Sequence, residues 1–184
     1  MYKLRRGIVA LALSWCVLAA AQNDSNYALR QITIKNRLVY SDALRKLIPI
    51  KDGDHFDPEL LRVGIDRIRY GYQEMGYILV ACTPELLRDN EKRTISVVVS
   101  ITEGKQFVIR SVTILGRNES DVRKELALLS LERGRIYNER LAELFVKRTA
   151  PATLRNFPPR SRINLATDDQ GTVAVTFDLR DGAK

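Results

Sequence analysis

The chain has 184 residues, with 30 Lys and Arg against 22 Asp and Glu for a net charge of +8, and 45% hydrophobic residues. A lone histidine, His55, and two cysteines, Cys16 and Cys82, exclude His-rich zinc motifs and a disulfide-stapled scaffold. The basic surplus is compatible with nucleic acid, anionic lipid headgroups or solubility, and charge alone singles out none of them.

Lys3, Arg5 and Arg6 precede a nearly unbroken apolar stretch at 7–18 and the small residues Ala19, Ala20 and Ala21, the layout of a secretory signal. A membrane anchor is the competing reading, but the stretch is shorter than the roughly 20 residues a spanning helix needs. Cleavage after Ala21 is expected, removing residues 1–21 and leaving 27 basic against 22 acidic residues, a net +5, with Cys82 as the one thiol. Trp15 stands where a lipoprotein signal wants a small residue, so Cys16 is read as an ordinary residue of the apolar stretch.

Beyond the signal the chain repeats itself with a period of about 80 residues. Arg30-Gln31-Ile32-Thr33-Ile34 matches Arg110-Ser111-Val112-Thr113-Ile114, and Gly53-Asp54-His55-Phe56-Asp57 matches Gly134-Arg135-Ile136-Tyr137-Asn138. At the far end Val97, Val99, Ile101 and Gly104 match Val175, Phe177, Leu179 and Gly182. Two domains follow, at 27–104 and 105–182. In each, alternating Ile32 and Ile34, or Val112 and Ile114, predict a first strand. Ser41 and Ser120 are read as N-caps of a short helix carrying Leu44, Leu47 and Ile48, or Val122, Leu126 and Leu129. Asp57-Pro58 starts a long second helix with Leu61, Ile65, Ile68, Tyr72 and Met75 on one stripe, and Gly76 supplies its left-handed stop. Tyr77 to Pro84 reads as the second strand, and Ile95, Val97, Val99 and Ile101 mark the third. In the second copy these strands hold Ile163 with Leu165 and Val173 with Val175, joined by the turn Asp168-Asp169-Gln170-Gly171. The fold class is α+β: two tandem β-α-α-β-β units, each a three-stranded mixed sheet covered on one face by two helices.

The element order, the glycine-aromatic-Asp/Asn segments before the long helices, Gly76-Tyr77, and the bridge Glu103-Gly104-Lys105-Gln106-Phe107 resemble the polypeptide-transport-associated (POTRA) domains of the outer-membrane assembly and translocation superfamily. The resemblance implies a periplasmic scaffold, associated with the outer membrane, that binds unfolded or extended outer-membrane or exported polypeptides by edge-strand pairing. It further implies, as the polypeptide-binding edge strand, Ile78, Leu79, Val80, Ala81 and Cys82 in the first unit and Arg162, Ile163, Asn164 and Leu165 in the second. No amphipathic barrel strands follow, so the chain is read as a stand-alone member, a partner of a separate β-barrel or a truncated relative. Pro151 and Asn156-Phe157-Pro158-Pro159 depart from the first copy and predict a kinked or shortened helix.

Catalysis, cofactors and metals are not expected. His55 lies in a turn, Cys82 on an apolar strand, and the glycines are scattered singly. Arg62, Arg67 and Arg69 beside Tyr70 and Tyr72 could suit RNA, but Tyr72 belongs to the apolar stripe and Asp66 and Glu74 dilute the charge, so nucleic acid is not expected as a partner. The alternative retained is an exported basic module for a polyanion, either anionic lipid or nucleic acid, with contact to a membrane surface open.

Overall fold

A computed structural model describes residues 24, 26–36 and 38–181, so the predicted signal lies outside the described residues. The first repeat folds as β1 (Ala28–Lys35), α1 (Ser41–Arg45), α2 (Pro58–Glu74), β2 (Ala81–Asp89) and β3 (Thr94–Thr102). The second folds as β4 (Val108–Leu115), α3 (Glu119–Leu128), α4 (Glu139–Thr149), 3-10 turns at Ala152–Leu154 and Pro159–Arg162, β5 (Ile163–Thr167) and β6 (Thr172–Asp178).

Each unit is a three-stranded mixed sheet whose last strand is central. β3 runs parallel to β1 and antiparallel to β2, and β6 relates to β4 and β5 in the same way. Both first strands shift register at matching places, between Leu29 and Gln31 and between Ile109 and Ser111, so the irregularity was duplicated with the unit. The alternation of the central strand sorts its side chains: Ile95, Val97, Val99 and Ile101 are buried with Leu61, Ile65, Ile68 and Tyr72 of α2, forming the first core. Val173, Val175 and Phe177 join Ala142, Phe145 and Val146 of α4 in the second.

Asp57 caps α2 as expected, its carboxylate accepting from the Glu59 and Leu60 N–H groups at 2.8 and 3.2 Å. Ser41 and Ser120 are not N-caps. Tyr40 and Asn118 hold those positions, Asn118 accepting from the Ser120 N–H, while the Ser41 hydroxyl lies one residue inside α1 and donates to the Ile34 carbonyl at 3.1 Å. Met75, placed on the buried stripe by its spacing, is 40% exposed because the helix ends at Glu74 and the chain has begun to turn.

The largest correction concerns the second strand, which begins at Ala81 rather than Tyr77. Gly76 has φ +87°, its N–H donates to the Gln73 carbonyl, and the Tyr77 N–H donates to the Tyr72 carbonyl: both bonds of a Schellman stop. Leaving it, the chain turns again, with the Val80 N–H donating to the Tyr77 carbonyl at 3.2 Å, before it can extend. Ile78, Leu79 and Val80 therefore precede the strand; Val80 is buried in the first core and Ile78 packs against the second. Arg162 likewise sits in a 3-10 turn before β5. Pro151 does shorten its helix: α4 stops at Thr149 and Ala150 is already extended.

Candidate polypeptide-binding edges

A three-stranded sheet has two outer strands, and here the start of one of them is paired by a loop of its own unit. The Leu29 N–H donates to the Asp54 carbonyl at 2.8 Å, and the Leu29 carbonyl accepts from the Gly53 N–H at 2.7 Å. The second unit repeats this with Ile109, Arg135 and Gly134 at 2.8 and 2.7 Å. Phe56 and Tyr137, both at most 1% exposed, anchor these loops. This is the structural work of the repeated glycine-aromatic segment at the start of β1 and β4; β2 and β5, which carry no such loop pairing, are the candidate docking edges.

Which backbone groups those edges present follows from the phase of the ladder. The Asp168 N–H donates to the Thr172 carbonyl at 3.1 Å, so Asp168 and, by alternation, Ala166 and Asn164 direct their backbone groups toward β6. Ile163, Leu165 and Thr167 direct theirs away. Arg160 agrees with this phase, since its Nη1 donates to the Ile163 carbonyl at 3.1 Å. Ile163 pairs with Phe177 as Pro84 pairs with Val99, and Phe177 and Val99 pair in turn with Ile114 and Ile34, so Pro84 is the counterpart of Ile163. An outward position is where a proline, lacking an N–H, leaves the ladder intact. The β2 edge thus offers donors and acceptors at Cys82, Leu86 and Arg88 and an acceptor alone at Pro84. Of the residues expected at the edges, Cys82, Ile163 and Leu165 face outward, whereas Ala81 and Asn164 turn their backbone inward.

The surroundings limit both edges. At the far end of β2, Arg88 makes a two-pronged pair with Asp24 at 2.9 and 2.8 Å, and the Tyr27 hydroxyl donates to Asn90 at 2.7 Å. Asp24 is 3% exposed, and its hydrogen bonds from Arg88 hold its carboxyl below the usual value. Cys82 is half-buried, and burial pushes its thiol up despite the opposing charge of Arg69. That places it with packed rather than reactive cysteines. Arg162 is 7% exposed and covers the Phe157 ring, its guanidinium carbon 4.8 Å from the centroid, so it is not at the edge at all.

The two units meet in a built joint. The Phe107 N–H donates to the Gly76 carbonyl at 2.9 Å, Gln106 Nε2 to the Met75 carbonyl at 2.9 Å, and Asn138 Nδ2 to the Glu74 carbonyl at 2.7 Å. The Tyr70 hydroxyl donates to Glu143 at 3.2 Å; burial, followed by the Glu143 charge, pushes the phenol up to about 12. Behind this joint Glu139, 1% exposed, accepts from the Tyr137 hydroxyl at 2.8 Å. Its other oxygen lies 2.6 Å from Arg160 Nε, an ion-pair contact off the hydrogen-bonding direction. Burial raises the Glu139 carboxyl, outweighing Tyr137 and Arg160, which pull it down. Among the described residues no three His, Cys, Asp or Glu side chains gather as a metal site.

Tandem β-α-α-β-β units with a central last strand and a first strand paired at its start by a loop define a class of small, open-sheet modules. Residues 27–104 match the family model described as POTRA, surface antigen variable number repeat. No curated protein sequence matches the chain. Among solved structures, the chain is similar to BamA POTRA3-5 from Haemophilus influenzae, with a TM-score of 0.66 at 19% identity over 84% of this chain and 61% of that one. It is also similar to BamA from Haemophilus ducreyi lacking POTRA domains 1-3, with a TM-score of 0.64 at 15% identity over 84% of this chain and 29% of that one. The chain therefore spans less than two thirds of either structure. Both units thus have the fold of those POTRA domains, and the family match falls on the first of them.

Proposed function

We propose that the protein is a non-catalytic periplasmic scaffold that receives extended outer-membrane or exported polypeptides on β2 and β5, in outer-membrane protein assembly or protein translocation. A separate outer-membrane β-barrel is the partner that would accept what the scaffold holds. The observation that carries this reading is the outward row of backbone groups on β2 and β5, paired by no further strand among the described residues, while β1 and β4 are paired at their start by a loop of their own unit. Backbone pairing at such an edge asks little of a client's sequence, as a general assembly scaffold requires. Signal-directed export would deliver the protein to the compartment where such clients are unfolded.

The edge phase makes the proposal testable at single amides. Adding an unfolded outer-membrane barrel polypeptide should slow hydrogen exchange at Cys82, Leu86, Leu165 and Thr167, which point outward, more than at their inward neighbours. Thr167→Pro removes an outward donor at an exposed position, in the way Pro84 already lacks one. With its fold verified by circular dichroism, this variant should lose protection at β5 and retain it at β2. Client binding that leaves all four amides unchanged sinks edge pairing while leaving the scaffold role standing.

A further inference from the structure

From residue 24 to 181 the basic surplus is confined to one unit. Residues 24–104 carry twelve basic and twelve acidic side chains, whereas 105–181 carry fourteen basic and ten acidic. Within the second unit, 144–167 contains Lys147, Arg148, Arg155, Arg160 and Arg162 and no Asp or Glu. Pro151 is responsible for the shape of this stretch. By ending α4 it sends the chain through two 3-10 turns that fold back against the last helical turn. Val146, Leu154 and Phe157 line the shallow cleft so formed, about 70 Å³ in volume, with Lys147 and Arg155 beside them.

The five cations are not equivalent. Arg148 pairs with Glu125 at 2.7 Å, Arg160 with Glu139 at 2.6 Å, and Arg162 is held against the Phe157 ring. Lys147 and Arg155 are exposed and make no side-chain hydrogen bond or ion pair among the described residues. Phe157, supported from behind by Arg162, is 52% exposed. Besides Glu125 and Glu139, Asp181 contacts this stretch, accepting from the Thr153 hydroxyl. An exposed aromatic ring on the same cleft as two cations that are unpaired among the described residues suits an interface with an apolar interior and an anionic surface. A folded partner would need a pocket complementary to the ring, and the cleft is far below the roughly 300 Å³ at which pockets hold even small ligands.

We propose that this face docks on an anionic lipid surface, with Phe157 at the boundary between headgroups and acyl chains and Lys147 and Arg155 on lipid phosphates. Such docking is independent of edge pairing and would turn the second unit, rather than the first, toward the membrane. The test is flotation of the full protein, as processed and isolated from its own envelope, with phosphatidylcholine vesicles with and without phosphatidylglycerol. The expected result is binding that requires phosphatidylglycerol and falls about 30-fold, ~2 kcal/mol, in Lys147→Gln/Arg155→Gln. Phe157→Ala, at an exposed position, should lower it roughly tenfold. Lys46→Gln/Lys51→Gln in the neutral first unit should leave it unchanged. Equal flotation without phosphatidylglycerol, or a double variant that binds like wild type, overturns the proposal. So does polyglutamate or single-stranded DNA that binds as tightly as the vesicles and loses affinity in the same double variant, since the site would then serve soluble polyanions.

Discussion

Two glycines of α2, seven residues apart, have opposite meanings. A Cβ on Gly64 would lie 2.7 Å from the backbone of Ile48, so α2 packs closely on the chain after α1 only because that side chain is missing; nothing lies within 4 Å of a Cβ on Gly71. Gly64→Ala should destabilise by about 1–3 kcal/mol through forced displacement of backbone. Gly71→Ala should stabilise by about 0.5–1 kcal/mol through helix propensity alone. Chemical denaturation of the two variants checks the signs. Glu139 makes a second residue-level case. A carboxyl whose pKa is higher in the folded than in the unfolded state stabilises the fold below its unfolded pKa and loses that contribution as pH rises through the folded one. Its contribution should therefore decline as pH climbs above the ordinary glutamate value of 4.5. Asp24 and Asp178, whose carboxyls are lowered by Arg88 and Arg180, act in the opposite direction as pH falls. The comparison is thus the difference in melting temperature between wild type and Glu139→Gln, which should change across that window and be flat if Glu139 is not titrating there.

At the scale of elements, Asn138 links two jobs. Its side-chain oxygen caps α4 by accepting from the Leu141 N–H at 3.0 Å, while its amide donates across the joint to Glu74. Asn138→Ala should cost about 1–2 kcal/mol, and Asn138→Asp should keep the cap yet lose the donor. The informative readout is proteolysis of the bridge at 103–107: cleavage should rise in both variants, while stability of the second unit should fall mainly in the alanine variant. The helix α2 was legible in the sequence because Asp57-Pro58, a stripe at helical spacing and Gly76 all agree. The start of β2 was not, because the apolar run from Ile78 to Ala81 looks like a buried strand whether it is one or completes a helix stop. The expected edge residues were displaced for that reason, and inward and outward backbone cannot be separated until a register is known. Pro84 was the one available signal, since a proline within a strand marks the side that faces away from the ladder. The pairing at the start of β1 depends on backbone bonds from the glycine-aromatic loop, which leave no imprint on side-chain pattern beyond the buried ring.

For the whole molecule, the parallel pairing of first and last strands decides where each unit is entered and left. Ala28 opens β1 opposite Thr94 at one end of β3, and the chain departs from Thr102 at the other end; β4 and β6 repeat the arrangement from Val108 to Asp178. Tension between residues 28 and 102 consequently loads the β1–β3 hydrogen bonds in shear, all together. Tension between Ala81 and Thr102, neighbours at one end of the antiparallel β2–β3 pair, would open bonds one after another. Force spectroscopy with handles at these two pairs of positions should give a higher rupture force for the first, and equal forces would contradict this geometry. Both units are built to carry a pull along the path of the chain and to yield when their outer strand is peeled aside.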